Sequence, residues 1–107
     1  MANILFTQSA EKDLDQIEYY IAVELENIEA SDRIIDGILD KIDELIPFPT
    51  MHPFVNDPLA KSLGFRMIRF ESYNVFYRYD DKLDTIYIVR ILYEGANWQY
   101  ILKSLNW

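Results

Sequence analysis

The chain has 107 residues and a net charge of −8, and half of its residues are hydrophobic. This length predicts one domain, residues 1–107, around a single core. It has no cysteine and one histidine, which excludes disulfides, thiolate catalysis and metal sites built from cysteines or histidine pairs. No apolar run is long enough for a bilayer and the N-terminus lacks signal-peptide features, so we expect a cytoplasmic protein with no membrane partner.

Charge is distributed unevenly along the chain. Residues 1–60 hold three basic and thirteen acidic groups, whereas residues 61–107 hold seven basic and five acidic groups. An acidic surface repels nucleic acid, so only the second half is expected to bind an anion, a phosphate or an acidic peptide. The arginines of this half are Arg66, Arg69, Arg78 and Arg90.

The first half predicts a short strand followed by two helices. The strand is Asn3–Phe6, the first helix has Ser9 as its N-cap, and the second helix begins near Ala30 and is stopped by Pro47 and Pro49. With almost no linker, the two helices should form an antiparallel hairpin. The apolar stripe of the first helix is predicted to comprise Ala10, Leu14, Ile17, Ile21, Leu25 and Ile28.

The second helix carries acids opposite its apolar arc. They recur every four residues, at Asp32, Asp36, Asp40 and Glu44. Each neighbouring pair of like charges costs about 0.2–0.5 kcal/mol, so we expect this column to be solvated. The alternative interpretation is a docking strip for a basic partner.

The second half predicts strands and a closing helix. After a loop at residues 50–63, the segments 65–70, 73–79 and 85–93 are rich in aromatic and β-branched residues, which favour strands. Residues 97–105 can form a short helix. The order of elements predicts an α+β domain, in which the N-terminal strand and helical hairpin pack on one face of a mainly antiparallel four-stranded sheet.

Symmetric turns would fix the strand register. Phe70 would face Tyr73, and Tyr79 would face Thr85. The polar residues that share one face on this register are Arg69, Asn74, Arg78 and Arg90. The opposite face is more apolar, so we assign it to the hairpin and place the arginines on the open face. A slip of one residue would exchange the two faces.

Several stretches over nearly the whole chain match a known family in order and spacing. They are residues 9–17, 48–49, 64–66, 73–78, 88–93 and 101–102. In these stretches the chain resembles the RelE/ParE superfamily of toxins from type II toxin–antitoxin modules. The resemblance implies a bacterial protein that inhibits growth when free, contributes to plasmid stabilisation and is neutralised by a cognate antitoxin. It implies no cofactor or metal, and it leaves a homodimer open.

The resemblance implies one of two activities. RelE-like members cleave mRNA in the ribosome, whereas ParE-like members poison DNA gyrase. Basic positions of RelE-like members are occupied here by Asn74 and by residues 94–97, and a position that is often histidine is Tyr93. These departures slightly favour gyrase inhibition. The alternatives are a ribosome-dependent mRNA endonuclease and an inert relative that only binds its antitoxin.

Candidate site residues follow from these activities. In a nuclease, Arg66 and Arg90 would clamp phosphate. Tyr93, or alternatively Tyr100, would transfer a proton if its pKa fell far below about 10. His52 and Asp57 are interpreted as a surface loop residue and a turn residue rather than as catalytic groups. The arginines are otherwise expected to pair with antitoxin acids or with the acidic helices. The predicted partner-binding residues are Arg69, Asn74, Arg78 and Trp107.

Overall fold

A four-stranded sheet with helices against both faces forms the framework of the protein. The computed structural model describes residues 1–104, and the predicted α+β class with a short C-terminal helix is confirmed. The elements are β1 (Asn3–Phe6), α1 (Gln8–Tyr19), a π-helical turn (Tyr20–Glu24), α2 (Ile28–Asp43), α3 (Pro58–Ser62), β2 (Arg66–Phe70), β3 (Tyr73–Asp80), β4 (Thr85–Tyr93) and α4 (Trp98–Lys103). Within residues 1–104, the helices are too short or too polar to cross a bilayer.

The sheet has the strand order β1-β4-β3-β2. β1 runs parallel to β4, and the other neighbouring strands are antiparallel. Because β1 ends at Phe6, opposite Ile88, the last residues of β4 lie beyond its reach. This part of the β4 edge faces the beginning of α1 instead.

The β3–β4 turn is not symmetric. Tyr79 pairs with Ile86 and Asp80 pairs with Thr85, so the predicted pairing of Tyr79 with Thr85 is wrong by one residue. Asp84, at the end of the turn, has a φ of +48°, in the left-handed region that Asp tolerates better than most residues. The strands therefore pair up to Asp80 and Thr85, and the connecting loop has four residues, 81–84, rather than the five that the predicted pairing implies.

A bulge in β4 adds a second shift. Phe76 pairs with Arg90, whereas the next residue, Tyr77, pairs with Ile88, so Val89 is an extra residue without a direct partner on β3. A bulge bends its strand and redirects the side chains beside it. In this sheet it separates Arg90 from the polar residues with which it was predicted to align.

The predicted polar row is wrong in one member. Arg69 does pair with Asn74, as Phe70 does with Tyr73. The β4 partner of Asn74 is, however, Leu92 and not Arg90. The turn and the bulge together account for this two-residue displacement.

Thr7, rather than Ser9, caps α1. The Thr7 hydroxyl accepts a hydrogen bond from the Ala10 backbone N–H at 3.1 Å and donates to the Val89 carbonyl at 2.8 Å. Ser9 already lies inside the helix. Thr7 thus caps the helix and also fixes its first turn to the bulge in β4.

The helical hairpin forms as predicted, but its apolar stripe is shorter. Ala10 and Ile21 are buried, whereas Leu25 and Ile28 are exposed. The chain leaves α-helical geometry at Tyr20, so the residues after it no longer follow the predicted stripe. α2 begins at Ile28, two residues before the predicted start, and the acidic column on α2 is exposed as predicted.

Two apolar cores lie on opposite faces of the sheet. The hairpin covers one of them, which contains Ile38, Ile42, Val75 and Ile88. The other contains Phe65, Phe76, Val89 and Leu102. The Trp98 ring of α4 packs on Phe76 in this second core, with 5.6 Å between ring centroids. The face that was predicted to be open is therefore partly covered, since α4 and the segment around α3 pack against it.

Candidate functional site

Arg90 is bound to helix α1. Its Nε lies 2.7 Å from Oδ2 of Asp13 and its Nη2 lies 2.8 Å from Oδ1, so the pair is bidentate. The same carboxylate accepts the backbone N–H of Ile91 at 2.9 Å. Hydrogen bonding to Asp13 raises the pKa of Arg90, which keeps the guanidinium charged. This pair links α1 to the part of the β4 edge that β1 does not cover.

Asp13 is the site residue that the sequence interpretation missed. It lies three residues after Ala10 and four before Ile17, within the apolar side of α1, and it is buried. A carboxylate in such a position requires a cation or several N–H donors. This placement, and not a sequence motif, was the signal that an arginine of the sheet would pair with it.

Arg66 is held by the loop that precedes α3. Its Nη1 donates to the His52 carbonyl at 2.5 Å, and its guanidinium carbon lies 4.0 Å from the centre of the Phe54 ring. The first contact involves the backbone of His52 and not its imidazole. Beside Arg66, burial raises the pKa of Tyr77 to about 12 while the Arg66 charge acts to lower it. Arg66 is thus occupied by acceptors of its own chain.

Arg69 lies at the exposed end of β2. It pairs with the Glu94 carboxylate, and its Nε donates to the Glu71 carbonyl at 2.6 Å. Asn74, its neighbour on β3, is buried, and Asn74 Oδ1 has no hydrogen-bond partner among the described residues. Of the two, only Arg69 presents its side chain to solvent.

The remaining predicted site residues are dispersed. Arg78 lies beside Gly64, towards the end of β3 that is opposite Tyr73. Trp107 lies outside the described residues. Asp57, interpreted as a turn residue, caps α3 by accepting the Ala60 backbone N–H at 3.0 Å.

Tyr93 is an exposed residue at the end of β4. Its ring meets the Tyr73 ring edge-on, with 5.8 Å between the centroids. Burial, followed by the nearby Tyr93, Tyr20 and Glu71, raises the pKa of Tyr73. The tyrosine that packs against Tyr93 is therefore a weaker acid than free tyrosine.

A groove of about 770 Å³ runs between the hairpin and the end of the sheet. Its walls are α1, the π-helical turn, the start of α2, the β2–β3 turn and the end of β4. The Asp13–Arg90 pair lies in it together with Tyr73 and Tyr93. The groove combines apolar walls with one paired arginine, which suits a peptide segment better than a phosphate.

Arg66 and Arg90 are not brought together. They lie on β2 and β4, which β3 separates, so their backbones are about 10 Å apart across the sheet. Each guanidinium contacts a different element, the loop before α3 in one case and α1 in the other. The structure therefore does not assemble the predicted pair of phosphate ligands around one position.

This fold is that of the RelE/ParE toxins. It is similar to a chain of the chromosomal ParDE toxin–antitoxin system from P. aeruginosa, with 22% identity, a TM-score of 0.68 and coverage of 87% of this chain and 96% of that one. It is also similar to a chain of the RelBE2 toxin–antitoxin complex from Mycobacterium tuberculosis, with 22% identity, a TM-score of 0.63 and coverage of 86% and 96%. The isolated E. coli RelE toxin gives 11% identity, a TM-score of 0.64 and coverage of 96% and 95%.

The family is established by sequence. Residues 4–98 match the family model described as the ParE toxin of the type II toxin–antitoxin system parDE. The chain belongs to this family, so it is a toxin of a type II toxin–antitoxin module, and the resemblance found in the sequence is confirmed. No curated protein sequence matches the chain.

Proposed function

We propose that this protein is a ParE-like toxin that binds and inhibits DNA gyrase in the bacterial cytoplasm without cleaving RNA. In this proposal a cognate antitoxin neutralises the toxin by covering part of its surface. The observation that carries the proposal is the engagement of Arg66 and Arg90, the two candidate phosphate ligands, by groups of the protein itself.

The geometry around Arg90 opposes a role in phosphate binding. To reach a phosphate, Arg90 would have to give up both hydrogen bonds to Asp13. Asp13 would then remain as a buried carboxylate whose cation had left, which costs several kcal/mol. A nuclease that depended on Arg90 would incur this cost each time it bound its substrate.

The charge of the hairpin supports the same proposal. The exposed acids of α2 would face the phosphates of any RNA that approached this side of the molecule. Repulsion between like charges weakens binding to ribosomal RNA. A protein target does not impose this penalty.

An antitoxin partner is supported by related structures that are toxin–antitoxin complexes. Among them are a toxin–antitoxin complex, RelBE2, from Mycobacterium tuberculosis and the intact RelBE complex from E. coli. Arg69 is exposed and its partner Glu94 is exposed, so an antitoxin carboxylate can replace Glu94 at little cost. Contacts by Arg69, Asn74, Arg78 and Trp107 with the antitoxin remain predictions.

The proposal is tested with purified toxin and DNA gyrase. We expect the toxin to inhibit supercoiling of plasmid DNA, and induced expression to reduce DNA synthesis before protein synthesis in pulse-labelled cells. The variant Arg66→Ala should retain inhibition, because the Arg66 guanidinium is engaged by the loop before α3. The thermal unfolding of both proteins is measured to verify that they are folded.

Two results would contradict the proposal. If supercoiling is unaffected and mRNA is cut within the ribosome, with cutting abolished by Arg66→Ala, the RelE-like alternative holds. If folded wild-type protein produces no growth defect, the chain is an inert relative that binds its antitoxin. Co-expression with the cognate antitoxin tests neutralisation separately.

A further inference from the structure

The tip of the helical hairpin exposes large apolar side chains. We define the hairpin tip as residues 19–29, the end of α1, the π-helical turn and the start of α2. The exposed fractions are 58% for Tyr19, 49% for Tyr20, 53% for Val23, 55% for Leu25 and 68% for Ile28. A cluster of exposed apolar side chains in one short segment is typical of a surface that binds another macromolecule.

The backbone produces this exposure. In the π-helical turn the Leu25 N–H donates to the Tyr20 carbonyl five residues earlier, at 2.9 Å. The wider turn displaces Val23 and Leu25 from the buried side, where Ile21 is the last residue of the stripe. Glu26 then adopts a φ of +51°, which reverses the chain into α2. Single π-helical turns are rare and occur often at functional sites.

Acidic side chains surround these apolar residues. Between Lys12 and Arg33 the sequence has no basic residue and no histidine. The exposed acids in this interval are Asp15, Glu18, Glu24, Glu26, Glu29 and Asp32. An apolar centre with an anionic rim complements a protein surface that is apolar at its centre and basic around it, and it repels nucleic acid.

We propose that the hairpin tip docks on a positively charged surface of the target enzyme. This inference rests on the proposed function, in which the target is DNA gyrase. An enzyme that binds duplex DNA must present lysines and arginines to the phosphates. The tip offers carboxylates to such cations and apolar side chains to the area between them.

Two double variants test the docking surface. Val23→Ser with Ile28→Ser removes apolar area, and Glu18→Lys with Glu24→Lys reverses the charge of the rim. The matched control is Asp36→Lys with Asp40→Lys, which makes the same change in net charge at exposed positions. The control positions lie about 12–18 Å further along α2 than Ile28.

The measurements are inhibition of gyrase supercoiling, antitoxin binding and thermal unfolding. We expect each tip variant to need at least tenfold more toxin for half-inhibition, whereas the control stays within twofold of wild type. Higher salt should weaken inhibition by the wild-type toxin, because salt screens the attraction between the acidic rim and a basic surface. Antitoxin binding and the unfolding temperature should stay unchanged in all three variants.

The outcomes separate this inference from the proposed function. If the wild-type toxin inhibits gyrase and the tip variants inhibit equally well, the inference is overturned and the proposed function stands. It is also overturned if the tip variants lose antitoxin binding and keep inhibition, since the tip would then belong to the antitoxin interface. A wild-type toxin without effect on supercoiling overturns both.

Discussion

Two regions each hold an arginine paired with a carboxylate: the edge of β4 that α1 covers, called here the covered edge, and the exposed end of β2. At the covered edge, the side chains of Arg90 and Asp13 are 22% and 7% exposed. At the exposed end, the side chains of Arg69 and Glu94 are 52% and 41% exposed. The same chemical pair can therefore stabilise the fold in one region and remain exchangeable with a partner in the other, since the effect of an ion pair depends on its burial.

The largest expected effect is that of Asp13→Ala. The substitution leaves Arg90 without its anion and the Ile91 N–H without its acceptor. We expect the free energy of unfolding to fall by about 3 kcal/mol, at the lower end of values for breaking a buried ion pair, because Arg90 can reach water. Urea unfolding of the toxin alone measures this change.

Arg69→Ala is the matched control for Asp13→Ala. It removes an arginine from an ion pair between exposed side chains, so the free energy of unfolding should change by less than about 1 kcal/mol. Equal losses in the two variants would remove the distinction between the covered edge and the exposed end.

A smaller effect is expected where α2 meets β2. A Cβ at Gly37 would overlap the ring of Phe70. Gly37→Ala should therefore lower the free energy of unfolding by about 1–2 kcal/mol, since overpacking outweighs the better helix propensity of alanine. Gly95→Ala is the control, because its Cβ would come no closer than 3.5 Å to Tyr93. A stabilised Gly37→Ala variant would show that this contact yields easily.

Most elements of the fold were predictable because each depends on local sequence. Apolar residues at helical spacing gave α1 and α2, and aromatic and β-branched runs gave β2 to β4. Local signals failed where two nearby residues offer the same chemistry. Thr7 and Ser9 can both cap a helix, but it is Thr7 that caps α1 and donates to the Val89 carbonyl.

The arrangement of the site was less predictable because it depends on register. Nothing in the residues around Val89 marks a bulge. A register drawn with a symmetric turn and without the bulge pairs Arg90 with Asn74, whereas the partner of Asn74 is Leu92. The π-helical turn is equally hidden, because Leu25 continues the apolar spacing of α1. Neither irregularity is marked by the local propensity of its residues.

The smallest expected effect concerns a buried hydroxyl on the face of the sheet that the helical hairpin covers. Tyr77 is fully buried and its hydroxyl has no hydrogen-bond partner among the described residues, so Tyr77→Phe should change the free energy of unfolding by less than about 1 kcal/mol at pH 7. Burial raises the pKa of Tyr77 from 10.0 to about 12, which means that folding favours the neutral phenol. This contribution is complete below pH 10 and is lost as the pH rises towards 12, so the wild type should lose about 1 kcal/mol more than the variant by pH 11. Urea unfolding of both proteins at pH 7 and pH 11 measures the difference, and parallel losses would mean that Tyr77 ionises as freely in the folded protein as in the unfolded chain.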